Sequence, residues 1–125
     1  MEEICAKLLK GHWKPYDVSL VKKVPGIYAI GEERARGIAY LYAGRSKNVK
    51  TRLQQHKTKK TQAISKRVAA MFKQHKQSKL RMKYVEDKWQ KRNEAKYIRC
   101  LAKRIGYRPV LNKLGGDKGY KRKRI

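Results

Sequence analysis

A carboxylate on the apolar stripe of a helix is the least ordinary placement in this sequence. From Glu94, steps of four, seven and eleven residues reach Ile98, Leu101 and Ile105, so Glu94 shares their face. An ionised carboxylate there is costly unless a cation or metal compensates it. A metal site and a structural ion pair with one of the many arginines satisfy that requirement equally well. A second set is phenolic: Tyr28, Tyr40 and Tyr42 sit in two neighbouring β-rich runs. A third pair, Arg52 and His56, is spaced four apart, so both project from one helical stripe. His12, His56, His75 and the two cysteines fall into no metal-ligand spacing, which argues against zinc. Neither a P-loop nor a nucleophile-elbow pattern occurs, and the lack of a suitable Ser/His/Asp order leaves no case for acyl-transfer chemistry.

The elements that must hold these groups follow from periodicity. Residues 26–30 and 38–44 read as two strands of an antiparallel hairpin around a polar loop, Gly31 to Gly37. Strict alternation puts Ile27, Ala29, Ala39, Leu41 and Ala43 on a core face, and Tyr28, Tyr40 and Tyr42 on the opposite, open one. Asn48 is a candidate N-cap for a helix to about His56, with Val49 and Leu53 on its inner side. A second helix fits Thr61 to His75, where Ile64, Val68, Met71, Phe72 and His75 keep a helical period. Leu80 to Val85 alternates as a third strand. Asp87 can cap a long helix from Lys88 to Ile105, ended by Gly106 and Pro109. Ahead of Pro25, a short helix is expected over Ile4 to Leu9 and a further segment near Val18 to Lys22. Val110 to Asn112 reads as a short ordered piece.

The chain has 125 residues, with 35 Lys plus Arg against 9 Asp plus Glu and a net charge of +26. One domain is expected, and 40% hydrophobic residues can fill a modest core. So large a positive charge opposes compaction unless a polyanion neutralises it, and nucleic acid is the natural partner through counterion release. No run of about 18 apolar residues spans a bilayer, and the opening residues do not resemble a secretory signal. Cys5 and Cys100 are few and far apart, so reduced thiols in an intracellular setting are expected, with a nucleus or nucleoid compatible with the charge.

Gly26-Ile27-Tyr28 followed by Tyr42-Ala43-Gly44 resembles the paired signature of the GIY-YIG nuclease superfamily, with Ala43 in place of the usual isoleucine. Arg45-Ser46-Lys47-Asn48-Val49, then Arg52 ten residues after Tyr42, and His56, resemble the stretch that follows in those enzymes. Asn93-Glu94-Ala95 resembles their metal-binding helix, and Val110-Leu111-Asn112 their closing asparagine. The likeness runs from about Pro25 to Asn112. It implies an α+β fold, a small three-stranded mixed or antiparallel sheet flanked by helices. Residues 1–24 would be an N-terminal helical extension, 25–116 the nuclease domain and 117–125 a basic tail.

The same likeness implies divalent-metal-dependent hydrolysis of DNA phosphodiesters with limited sequence specificity. Glu94 would hold Mg²⁺ or Mn²⁺, and Tyr28 or Tyr42 would take a proton from the attacking water. Arg52 would stabilise transition-state charge, and His56 would orient water or tyrosine, or contact phosphate. Arg45, Lys47, Lys50, Lys57 and Asn112 would contact or position the nucleic acid. Arg45 stands where lysine is common in the family, and arginine stays charged, so it is not expected to relay protons. The alternative is a non-catalytic DNA- or RNA-binding module on the same scaffold. RNA is not excluded, no membrane partner is expected, and the oligomeric state is open.

Overall fold

The structure, a computed structural model, describes residues 3–58 and 62–109. The sequence expectations for Val110 to Asn112, including Asn112 itself, and for the basic tail lie outside the described residues. Along the chain run α1 (Ala6–Lys10), β1 (Lys14–Pro15), β2 (Gly26–Arg34), β3 (Gly37–Ser46), α2 (Val49–Thr58), α3 (Ala63–Lys73), β4 (Leu80–Glu86) and α4 (Gln90–Ile105). Single 3-10 turns occupy Val18–Leu20 and Gln77–Lys79. The fold is α+β, as expected, and every strand pairing is antiparallel, in the order β1-β4-β2-β3.

The sheet therefore has four strands and not three. The additional one comes from the N-terminal segment, where Lys14 and Pro15 pair with Met82 and Arg81 at the sheet edge. Proline is tolerated there because an edge strand need not donate from every residue. That segment does more than extend the fold. Leu8, Tyr16 and Val21 are buried, and the Tyr16 hydroxyl donates to the Leu53 carbonyl at 2.7 Å.

Two helical layers cover the sheet, so neither face is open. On one side α2 and α3 bring Val49, Leu53, Ile64, Val68 and Met71 against Tyr28, Ile30, Leu41 and Met82. On the other, α1 and α4 bring Leu8, Tyr97, Ile98 and Leu101 against Ile27, Ala29, Tyr40 and Ala43. The expected split of the tyrosines fails between strands β2 and β3. Ile30 pairs with Tyr42 but Gly31 pairs with Tyr40, leaving Leu41 as an extra residue. This bulge breaks the two-residue period, so Leu41 joins Tyr42 on the α2/α3 side while Tyr40 turns to the α4 side. The polar loop contracts as well. Strand pairing continues to Arg34 opposite Gly37, which leaves a two-residue turn at Ala35 and Arg36.

The Asn48 cap read from sequence is present, whereas α4 begins at Gln90 with Trp89 as its N-cap, so Asp87 braces the turn before the helix and does not cap it. Asn48 Oδ1 accepts from Thr51 N at 3.1 Å at the start of α2. Asp87 accepts from Trp89 N at 2.8 Å and from the Asn93 side chain at 3.0 Å at the head of α4. Gly106 closes α4 in the left-handed region, φ 87°.

The cysteines correct the expectation of free thiols. Cys5 and Cys100 form a disulfide across a separation of 95 residues, with Cα atoms 5.9 Å apart. It ties the start of α1 to α4. Lys83 fastens the other end of α1, its ammonium donating to the carbonyls of Leu9 and Gly11 at 3.2 and 3.3 Å while lying 4.4 Å from the Trp13 ring centroid. Burial pulls the Lys83 amine down to about 8.

Candidate active site

At the sheet end where β2 begins and β3 ends, the α2/α3 layer meets the head of α4. Tyr28 projects from β2 beneath α2, and its hydroxyl lies 2.7 Å from His56 Nε2. His56 Nδ1 is 2.8 Å from Ser65 Oγ on α3, so both ring nitrogens are engaged. Tyr28 and His56 are each 0% exposed. The expected open phenolic face is therefore closed over Tyr28 by helices α2 and α3. Gly44, across the hairpin from Tyr28, makes the room for it: a β-carbon there would come 2.9 Å from the Tyr28 hydroxyl and 2.6 Å from the Tyr42 ring.

Tyr42 stands beside this pair and is only partly covered. Its ring centroid is 6.0 Å from that of Tyr28 and 5.7 Å from that of His56. Burial, then the Glu94 carboxylate, raise its phenol above the usual value, while Arg52, a hydrogen bond from Tyr28 and Arg45 act in the opposite direction. Burial pushes the Tyr28 phenol much further up, and Arg52, by charge and by hydrogen bond, opposes it. Arg52 also donates to Gln55 at 3.2 Å and to Gln62 at 2.8 Å, so its guanidinium is held between α2 and α3.

Glu94 lies one turn into α4, on the stripe it shares with buried Ile98 and Leu101. Arg45, immediately after Gly44, brings Nε to 3.5 Å from its carboxylate and donates from a terminal nitrogen to Gln90 at 3.3 Å. The sequence left metal site and ion pair open for Glu94, and the ion pair is present. Around Tyr42, then, are gathered Tyr28, Arg52, His56, Arg45 and Glu94, drawn from both strands of the hairpin, α2 and α4. Lys47 is exposed, and Lys50 and Lys57 are half-exposed on or next to α2, with the Lys57 ammonium 4.8 Å from the Phe72 ring centroid.

Two members of the group were not anticipated. Gln90 sits four residues before Glu94, so helical spacing alone would have placed it on the same stripe. Ser65 carries no such signal, since a small polar residue beside Ile64 looks like any other on the flank of α3.

Among the described residues no three His, Cys, Asp or Glu side chains converge as a ready-made metal cage. His56 is already committed at both nitrogens. The donor set therefore does not fit zinc. It fits a hydrated Mg²⁺ or Mn²⁺, which keeps several waters and needs only one or two carboxylates beside a substrate phosphate.

Burial, then the Arg52 charge, lower the His56 imidazole from 6.5 to about 4, so it is neutral at physiological pH. Between those values the unfolded chain binds a proton that the folded one refuses. The stabilisation is thus complete above pH 6.5 and is lost as pH falls to about 4, an expected loss of about 3 kcal/mol. Chemical denaturation from pH 7 to 4 should show that fall in the wild type. In His56→Gln the slope should be shallower by this amount; an unchanged slope would mean that His56 is protonated in the folded state.

No protein-family model, no curated protein and no solved structure matches the chain.

Proposed function

We propose that the protein is a divalent-metal-dependent endonuclease that hydrolyses DNA phosphodiester bonds, of the kind its Gly26–Tyr28 and Tyr42–Gly44 segments resemble. The observation that carries this reading is the convergence on Tyr42 of two arginines and a carboxylate from an apolar helix stripe. Pure phosphate binding has no use for that carboxylate. A core ion pair has no use for a ring of phenols and an imidazole beside it.

In this reading Tyr42 is the phenol that meets the attacking water, because it is partly exposed and Tyr28 is not. Arg52, Arg45 and the hydrogen bond from Tyr28 each favour its anion, which eases proton transfer away from water. Tyr28 and His56 are positioning residues. The Tyr28 hydroxyl and neutral His56 Nε2 share a hydrogen bond, the other ring nitrogen is fixed by Ser65, and this chain holds Tyr28 against Tyr42. Arg52 turns from its glutamine partners to the phosphate, where charge grows in the transition state. Glu94 would hold the Mg²⁺ or Mn²⁺, which when bound polarises a phosphate oxygen. Lys47, Lys50 and Lys57 hold the backbone. Limited base-reading equipment makes DNA shape a better determinant of the cutting site than sequence.

No helix among the described residues is long and apolar enough to cross a membrane. A DNA substrate is compatible with an intracellular setting, a nucleus or nucleoid among them. The Cys5–Cys100 bond weighs against a reducing compartment, where disulfides are rare.

The second reading, a non-catalytic DNA- or RNA-binding module, is favoured by one observation: the Arg45–Glu94 ion pair already satisfies the carboxylate. Incubation with supercoiled plasmid separates the two. Nicking with Mg²⁺ or Mn²⁺, and none in EDTA, is the expected result. A gel shift without nicking in every metal tested would replace the enzyme by the binding module.

A further inference from the structure

We propose that Trp89 is a stacking platform for an unpaired DNA base at the edge of the site. The inference rests on the nucleic-acid reading above and names the form of DNA that the site takes: single-stranded or locally opened. Large apolar side chains on this surface are few, and Trp89, at 52% exposed, is the largest of them among the described residues. It is also rigidly based. Its backbone N–H donates to Asp87 at 2.8 Å, Asp87 N in turn donates to the Pro25 carbonyl at 2.9 Å, and the residue opens α4.

Cations flank the ring. The Arg92 guanidinium lies 4.7 Å and the Lys88 ammonium 5.4 Å from its centroid, and both side chains are solvent-exposed. An exposed cation over an aromatic ring is a weaker contact than a stacked nucleobase. A base arriving with its phosphates can therefore take the ring face while Lys88 and Arg92 swing onto the flanking phosphates. That combination, an aromatic face interleaved with mobile cations, is how sequence-tolerant single-strand binding is built. A continuous duplex keeps its bases stacked on one another and offers the ring nothing comparable.

Position connects the platform to the chemistry. The next residue, Gln90, accepts from Arg45 at 3.3 Å, and Arg45 is ion-paired to Glu94 at 3.5 Å. A strand stacked on Trp89 thus enters along the first turn of α4, beside the carboxylate. The protein's net charge of +26 matches a polyanion and disfavours docking of a second copy of this chain.

Binding in EDTA tests this without requiring cleavage. Fluorescence anisotropy would compare a labelled oligo-dT strand with its oligo-dA duplex. Trp89→Ala should weaken the single strand by about 5- to 100-fold and the duplex by less than about twofold, with Trp89→Phe restoring most of the loss. Oligo-dT should also quench tryptophan emission in the wild type and do so far less in Trp89→Phe, where only half-buried Trp13 remains. Equal loss on both probes, no loss on either, or self-association that disappears in Trp89→Ala would overturn the platform. Absence of nicking by the wild-type protein in every metal tested, with the single-strand preference intact, would sink the nuclease reading and leave this one standing.

Discussion

Glu94→Gln should reduce plasmid nicking by at least about 100-fold while leaving DNA affinity within about threefold, since metal-derived charge stabilisation supplies several kcal/mol of a phosphoryl-transfer barrier. The substitution keeps the shape of the side chain and removes only its charge. Its direct cost to the fold is small, under about 1 kcal/mol, because the Arg45–Glu94 pair is partly solvated and reaches 3.5 Å on one oxygen. A second readout is independent of cutting. The Glu94 carboxylate holds the Tyr42 phenol up, so neutralising it should let Tyr42 ionise at lower pH, visible as an earlier phenolate absorbance step in an alkaline titration. A shifted titration with undiminished nicking would make Glu94 a structural partner of Arg45, and the catalytic assignment would fall. Undiminished DNA binding in EDTA with lost nicking in Mg²⁺ is what a metal-holding carboxylate predicts, because without the metal the substitution only removes a negative charge from beside the phosphate.

Reduction of the Cys5–Cys100 bond should produce the largest change in stability, about 4 to 5 kcal/mol in the chain-entropy description of a loop closed over 95 residues. Breaking it frees the N-terminal segment in the unfolded state and removes the tie between α1 and α4. Urea denaturation with and without a reductant measures the difference directly, and Cys5→Ser with Cys100→Ser should reproduce the reduced value in either buffer. The consequence reaches the site, because α4 carries Glu94 and Trp89 on its exposed first turns while its later turns pack against Leu8 and the disulfide. A difference below about 1 kcal/mol would show that Lys83 and the core packing of Leu8 hold α1 without help, and a reducing compartment would then be no obstacle. A difference near the expected value would be a large share of the about 5 to 15 kcal/mol typical of a folded domain, and oxidising surroundings would then favour the folded protein.

Much of this arrangement is visible in short stretches of chain. The cap at Asn48, the stop at Gly106, the stripe from Glu94 to Leu101 and the pairing of Arg52 with His56 all follow from relations over a turn or two. Such features depend on dihedral preference and periodicity, which neighbouring residues specify on their own. The α+β class follows from the order of those pieces. The number of strands does not, since Lys14-Pro15 is too short to signal itself and becomes a strand only because Arg81 and Met82 lie alongside.

What only the assembled molecule decides concerns which face each side chain meets. The bulge leaves Leu41 unpaired between the Ile30–Tyr42 and Gly31–Tyr40 pairs and sends Tyr40 and Tyr42 to opposite sides of the sheet. Two helical layers, brought from distant parts of the chain, bury Tyr28 and His56 and leave Tyr42 partly exposed. Cys5 meets Cys100, and Arg45 meets Gln90 and Glu94, only when α4 has docked on its layer. Residue types and their local spacing supply the chemical groups. Burial, charge proximity and the difference in exposure between Tyr28 and Tyr42 come from contacts between segments far apart in sequence, which no local pattern encodes.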